Sequence, residues 1–163
     1  MRKITTIFTI VAIIAVGIFL WTNIQVVINR PIVEGIARQN NVSPSLILAI
    51  IKVESNFRAD AVSHKGAIGM MQIMPDTAAM ISQRAGIENK PYDALVNIQM
   101  GTWYMGQYLL PKYKGDEKRA LAAYNAGEGN VDSWANGEIR FAETASYVKK
   151  VAWWKAVYSF FVP

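Results

Sequence analysis

Residues 50–75 read IIKVESNFRADAVSHKGAIGMMQIMP, and this stretch together with the turn before it decides the fold. Ser43 and Pro44 form a helix start signal, with serine as the N-cap and proline in the first turn. The aliphatic residues that follow recur at the spacing of one helix face: Leu46, Ile47, Ile50 and Ile51. The pattern predicts a helix over residues 45–55 that carries Glu54 in its last turn.

The position of Glu54 indicates a carboxyl group with unusual acidity. It lies four residues after Ile50, so it continues the aliphatic face at the end of the helix. Lost hydration and the partial negative charge of a helix C-terminus both disfavour the carboxylate, so we expect a raised pKa. A carboxyl group that stays protonated near neutral pH can act as a general acid. The alternative, which helix position alone favours, is a solvated glutamate at a frayed helix end.

The rest of the chain after Arg30 predicts a mostly helical domain. Residues 58–73 contain Gly66 and Gly69, show no helical period, and predict a loop with a short hairpin. Apolar periodicity and turn residues predict further helices at 31–40, 76–84, 93–110, 116–124, 128–134 and 141–160.

The first thirty residues have a different character. No charged residue lies between Lys3 and Arg30, and Thr9 is the only polar residue from Ile7 to Trp21. A helix over residues 4–28 would be long enough to cross a hydrocarbon core of about 30 Å. The sequence therefore predicts an N-terminal transmembrane helix.

Arg2 and Lys3 fit the cytoplasmic end of such a helix, which places the remainder outside the cytoplasm. We expect an anchor in residues 1–30 and an extracytoplasmic domain in residues 31–163. A cleaved signal peptide is the alternative, although no small-x-small site follows the apolar run.

Composition excludes several classes of function. The chain has no cysteine, which excludes disulfides, thiolate nucleophiles and cysteine metal sites. A net charge of +5 suits an anionic partner such as cell-wall polymer or anionic lipid. The basic residues are scattered rather than arranged as a stripe with interleaved aromatics, so we do not expect nucleic-acid binding.

Three separated motifs carry a family resemblance. They are the glutamate-serine and glycine-x-methionine-glutamine segments within residues 50–75, LAAYNAGEGNV at 121–131, and FAETASYVKKV at 141–151. In this order they closely resemble the soluble lytic transglycosylase (SLT) domain, over residues 32–151. The resemblance implies a lysozyme-like, mostly α fold that cleaves peptidoglycan strands between N-acetylmuramic acid and N-acetylglucosamine. Met70 is a departure, since the family commonly has leucine there.

The resemblance also implies site residues. Glu54 matches the family's acid/base. The substrate-binding matches are Ser63, Gln72, Met74, Tyr124, Asn125, Glu143 and Tyr147. Several have structural alternatives: Met74 can fill a core, Tyr124 and Asn125 can end a helix, and Glu143 can complement a helix dipole. His64, in a polar loop, is expected to be a surface residue.

A single acid suffices if the substrate supplies its own nucleophile. By the family's mechanism Glu54 acts first as acid and then as base, and leaves 1,6-anhydro-muramic ends without consuming water. We expect no metal or other cofactor, and a monomer. The alternatives are a hydrolytic muramidase of lysozyme type, and a wall-remodelling accessory of a secretion or conjugation machine.

Overall fold

The computed structural model describes the backbone of residues 2–134 and 137–162, and the side chains of most of them. Its helices are α1 Arg2–Gln39, α2 Pro44–Ser55, α3 Pro75–Ala85, α4 Ala94–Trp103, a π-helix Tyr104–Leu109, α5 Leu110–Lys112, α6 Glu117–Ala126, α7 Glu128–Ser133 and α8 Ala142–Ser159. No strand occurs among the described residues, so the expectation of a mostly α fold is confirmed.

Helix α2 is the central element of the domain. Ser43 adopts the extended conformation before Pro44, and the aliphatic residues 46–51 are almost fully buried. α2 packs chiefly against α8 and next against α1. The predicted start, the predicted end and the buried aliphatic face are all confirmed. Because α2 is buried on so much of its surface, the rest of the domain determines where its last turn, with Glu54, is placed.

Helix α1 corrects the expectation that a separate helix begins at residue 31. Pro31 lies inside one continuous helix, Arg2–Gln39. The ion pair between Arg30 and Glu34 spans the position where proline removes a backbone donor, and Glu34 also pairs with Arg38 in the following turn. The buried side chain of Asn29 adds a hydrogen bond of 2.7 Å to the Gln25 carbonyl. These side-chain interactions therefore stabilise the helix where it continues through Pro31.

Within the part of the chain that the structure describes, no helix combines the length and hydropathy needed to cross a membrane.

Residues 94–112 differ from the continuous helix that was expected there. The chain widens into a π-helix at Tyr104–Leu109 between α4 and α5. π-helical turns are rare and frequently occur at functional sites. Here the widened turn carries Tyr104 and Tyr108, whose rings stack with centroids 5.5 Å apart.

The segment between α2 and α3 forms a compact loop. Two isolated antiparallel bridges, Val62 with Ile68 and Ile68 with Ile73, fold it back on itself. The expected hairpin is therefore present only as single bridges. This loop, residues 56–74, forms one wall of the site described next.

Candidate active site

Glu54 lies in the last turn of α2, where the chain reverses direction sharply. Asn56 and Phe57 both have left-handed backbone angles, with φ of 53° and 64°, and the Asn56 N–H caps the helix on the Lys52 carbonyl. Ser55 and Phe57 are buried, whereas Glu54 keeps part of its surface accessible. The reversal therefore leaves a carboxyl group at the edge of the core.

The acidity of Glu54 follows from this placement. Burial raises the pKa of its carboxyl group from 4.5 to about 7, as the sequence led us to expect. The Tyr147 hydroxyl on α8 opposes this shift, because a donor beside the carboxyl group stabilises the carboxylate. That hydroxyl is buried and has no partner of normal hydrogen-bond geometry among the described residues, so it is available to Glu54.

A cavity of about 210 Å³ opens beside Glu54. Most of the residues that the sequence pointed to line it together with Glu54: Ser63, Gln72, Met74, Tyr124, Asn125 and Glu143. Tyr147 is not in this lining and acts on Glu54 from the α8 side. The structure therefore brings together residues from α2, the 56–74 loop, α6 and α8.

The loop that carries Gln72 is fixed by a buried amide on α4. Asn97 is fully buried, and its Oδ1 accepts a hydrogen bond of 2.8 Å from the Met71 N–H. Its Nδ2 donates to the carbonyls of Ile68 and Pro91, both at 2.9 Å. All three bonds go to backbone groups, so one side chain sets the position of the loop relative to α4.

Two further hydrogen bonds fix the adjacent carbonyls of this loop. Ser55, next to Glu54, donates to the Met70 carbonyl at 2.8 Å. Tyr124 on α6 donates to the Met71 carbonyl at 2.7 Å. The Tyr124 proton is therefore engaged by the backbone. Together with Asn97, these bonds anchor residues 68–71 to three helices.

Close packing explains the glycine that precedes Met70. A Cβ atom on Gly69 would lie 2.5 Å from Asn97 Nδ2, and its φ of +77° also disfavours other residues. The glycine of the motif thus serves the approach of the loop to Asn97.

Gln72 has a strained backbone, with φ of 47°. Its side-chain nitrogen is hydrogen-bonded within the 56–74 loop. Its Nε2 donates to the Gly69 carbonyl at 2.9 Å and to the Ala61 carbonyl at 3.2 Å. The amide group therefore offers its oxygen, rather than its nitrogen, to a ligand.

Asn125 and Ser63 also make internal contacts. Asn125 accepts a hydrogen bond of 2.8 Å from the buried Thr144, which joins α6 to α8. Ser63 Oγ accepts from the Ala67 N–H at 3.0 Å and closes the loop tip. Met74 is 41% exposed, so at this position the structure favours a cleft wall over core filling.

A second cavity of about 300 Å³ adjoins the first. The two share lining residues: Lys65, Gln72, Met74, Tyr124 and Asn125. Tyr104 also lines the second cavity, and its ring lies 5.7 Å from that of Tyr124. Sequence reasoning did not single out Lys65 as a site residue. It placed His64 on the surface, where it is indeed exposed, but His64 also lines the smaller cavity.

Two acidic residues outside these cavities, Glu128 and Asp132, interact with basic and tyrosine side chains. Lys112 pairs with both Glu128 and Asp132, at 2.7 Å in the second case. Tyr108 donates to Glu128 and Tyr113 donates to Asp132. Glu143 is the carboxylate that lines the smaller cavity together with Glu54. In the described residues no group of histidine and acidic side chains is arranged to hold a metal ion.

Comparison with known sequences places these features in a family. The transglycosylase SLT domain matches residues 31–146. The membrane-bound lytic murein transglycosylase C of Actinobacillus pleuropneumoniae serotype 5b is 39% identical over 113 residues, which cover 62% of this chain and 31% of that protein. The soluble lytic murein transglycosylase of Salmonella typhimurium is 33% identical over 142 residues, which cover 77% of this chain and 22% of that protein.

Solved structures agree with the sequence matches. Lytic transglycosylase Slt from Pseudomonas aeruginosa, solved as an inactive glutamate-to-glutamine mutant, aligns over 80% of this chain with a TM-score of 0.74 and 33% identity. The 70-kDa soluble lytic transglycosylase in complex with bulgecin A aligns with a TM-score of 0.75 and 30% identity. The chain spans 24% of each of these structures and less than a third of the sequence relatives. The chain belongs to the transglycosylase SLT domain family and has its lysozyme-like fold.

Proposed function

We propose that this protein is a peptidoglycan lytic transglycosylase in which Glu54 is the acid and then the base. The observation that carries the proposal is the carboxyl group of Glu54, with a pKa raised to about 7, at the wall of a cavity. The relatives named as murein transglycosylases support the substrate class. The inactive glutamate-to-glutamine mutant of one relative supports the dependence on a single glutamate.

In the first step, protonated Glu54 donates its proton to the oxygen between N-acetylmuramic acid and N-acetylglucosamine. The bond from C1 of the muramic sugar to that oxygen breaks, and N-acetylglucosamine leaves with a new hydroxyl. The N-acetyl oxygen of the muramic sugar stabilises the positive charge at C1. A pKa near 7 keeps a large fraction of Glu54 protonated at neutral pH, as this step requires.

In the second step, the Glu54 carboxylate removes the proton from the O6 hydroxyl of the same sugar. O6 then bonds to C1, which closes the 1,6-anhydro ring and returns Glu54 to its acid form. No water is consumed. The Tyr147 hydroxyl stabilises the carboxylate between the two steps, because its interaction lowers the pKa of Glu54.

Hydrolysis is the second candidate, because Glu143 lines the same cavity as Glu54. A hydrolytic enzyme of this fold would use a second carboxylate to activate water. Mass spectrometry of digested peptidoglycan separates the two reactions, since transglycosylation leaves anhydro ends and hydrolysis leaves reducing ends. We expect anhydro ends from the wild type and also from Glu143→Gln.

The variant Glu54→Gln tests the acid directly. It nearly keeps the shape of the side chain but has no proton to transfer, so we expect cleavage to fall by about 10²–10⁴-fold. Circular dichroism of the variant checks that the fold is retained. Turnover like that of the wild type in a folded variant would exclude Glu54 as the acid.

We also propose that residues 4–28 hold the catalytic domain, residues 31–163, at the outer side of the bacterial membrane. The support is the uncharged run before Arg30 and the exposure of aliphatic side chains on α1, which lipid would cover. More than half of the surface of each of these is exposed: Ile10, Val11, Ile13 and Ile14. Fractionation with N-terminal sequencing tests this proposal, and a mature protein that starts near residue 23 or 30 would indicate cleavage instead.

A further inference from the structure

One cation stands at the junction of the two cavities. Lys65 is exposed and lines both the 210 Å³ cavity beside Glu54 and the 300 Å³ cavity beyond it. It comes from the tip of a closed turn, in which the Gly66 N–H donates to the Ser63 carbonyl at 2.9 Å. The Ser63 N–H donates to the Ala67 carbonyl, also at 2.9 Å. The backbone that presents the ammonium group is therefore held in place.

Lys65 has no anionic partner of its own. Some other basic side chains pair with carboxylates, as Lys90 does with Glu88 and Lys155 with Glu117. No carboxylate among the described residues lies within ion-pair distance of Lys65. The charge is left for a ligand.

The larger cavity is positive as a result. Burial raises the pKa values of Tyr104 and Tyr124, so both phenols stay neutral. Lys65 is then the only charged side chain among the residues that line this cavity. The other lining residues comprise the polar Gln72, Thr77 and Asn125 and a set of small and aliphatic groups: Ile73, Met74, Ala123, Ala126 and Gly127. Neutral N-acetyl sugars need hydrogen bonds rather than a free cation, whereas a carboxylate gains from one.

We propose that Lys65 binds a carboxylate carried by the muramic-acid unit of the substrate, which makes the enzyme prefer acidic strands over neutral N-acetylglucosamine oligomers. This inference rests on the proposed peptidoglycan substrate. The carboxylate has two possible sources, which are the peptide stem and the free lactyl group of a strand whose stems have been removed. The small aliphatic wall suits the alanine side chains of a stem.

Binding to the inactive Glu54→Gln protein tests the site without turnover, so the result does not depend on the proposed reaction. The probes are a disaccharide-tetrapeptide muropeptide, the same disaccharide with a free lactyl group, and a neutral chitotetraose. Each is titrated by calorimetry against Glu54→Gln alone and against Glu54→Gln combined with Lys65→Met or Lys65→Arg. The matched control is Lys118→Met, which removes the same charge from an exposed lysine on α6 outside both cavities.

We expect Lys65→Met to weaken muropeptide binding about threefold to fivefold, and Lys65→Arg to restore most of it. Rising salt should reduce the difference between the Lys65→Met protein and its parent. Chitotetraose binding and the Lys118→Met control should stay unchanged. A loss confined to the tetrapeptide probe identifies the stem as the source, and a loss on the free lactyl disaccharide identifies the lactyl group.

An equal loss on chitotetraose would overturn the proposal, because Lys65 would then contact the sugar itself. Unchanged binding of both acidic probes would overturn it as well. Neither result would bear on the role of Glu54, which product analysis tests separately.

Discussion

At the scale of single residues, the pairing of Glu54 with Tyr147 controls the proton on which the proposed reaction depends. Burial raises the pKa of Glu54 to about 7 while the Tyr147 hydroxyl lowers it. The first influence favours the acid needed for bond cleavage and the second favours the carboxylate needed for ring closure. Because burial and the hydroxyl favour different steps, removing the hydroxyl should affect bond cleavage and ring closure differently.

We predict that Tyr147→Phe moves the alkaline limb of the pH–rate profile to higher pH. Without the hydroxyl, the pKa of Glu54 rises further and the acid persists to higher pH. The maximal rate should fall about tenfold, because the carboxylate between the steps loses its donor. His64, Lys65 and Glu143, which also line the cavity, are unchanged in the variant.

The measurement is the release of soluble anhydro-muropeptides across a pH series. Tyr92→Phe is the matched control, since this tyrosine is 70% exposed in a loop between α3 and α4. An alkaline limb that stays in place in Tyr147→Phe would show that this hydroxyl does not act on Glu54.

Residue identity at the site could be predicted from sequence where a motif marks it. Glu54, Gln72 and Tyr124 stand within such motifs, and the structure gathers them at one cavity. Lys65 could not be found this way, because an exposed lysine in a loop leaves no periodic signal. The partner of the Tyr124 hydroxyl, the Met71 carbonyl, depends on a contact 53 positions away along the chain.

At the scale of secondary-structure elements, Asn97 joins α4 to the loop that forms one cavity wall. Replacing it with leucine keeps the size but leaves the Met71 N–H and the Pro91 carbonyl without their partner, and it removes one of two hydrogen bonds to the Ile68 carbonyl. We predict that Asn97→Leu lowers the free energy of unfolding by about 3 kcal/mol, the cost of unpaired buried groups. Urea denaturation measures the change.

The control for Asn97 is the exposed Asn130, whose side chain donates to the carbonyl of the nearby Ala126. Asn130→Ala should stay within about 0.5 kcal/mol of the wild type. If Asn97→Leu were as stable as the control, water or a rearranged loop would have to satisfy the Met71 N–H and the Pro91 carbonyl, and the loop would not depend on Asn97.

The elements themselves were predictable where periodicity and end signals agree. Ser43, Pro44 and the aliphatic face define α2 from sequence, and the structure confirms it. The predicted boundary at Pro31 was wrong, because the ion pair between Arg30 and Glu34 bridges the proline and supports a continuous helix. The π-helix at Tyr104–Leu109 could not be predicted, since one extra residue per turn does not alter the apolar pattern enough to be seen.

At the scale of the whole molecule, a buried acid links function to stability. Glu54 binds its proton more tightly in the folded state, with a pKa of about 7 against 4.5. Below pH 4.5 both states are protonated and folding carries no cost from this group. Between pH 4.5 and pH 7 the unfolded chain releases this proton while the folded protein keeps it, so stability falls across this range by about 1.4 kcal/mol for each unit of pKa difference.

We predict that Glu54→Gln is more stable than the wild type by about 3 kcal/mol at pH 7 and by little at pH 4. Glutamine keeps the shape but does not ionise, so the gain should appear only above the unfolded pKa of 4.5. For a chain of this length the gain corresponds to a rise in melting temperature of roughly 9 °C at pH 7. Calorimetric melting of both proteins at the two pH values measures it.

A gain that is equal at pH 4 and pH 7 would mean that the substitution stabilises by packing, and an absent gain would mean that Glu54 is well hydrated. Either outcome would remove the physical reason for a proton on Glu54 at neutral pH, because that proton and the stability cost have the same origin in the burial of one carboxyl group.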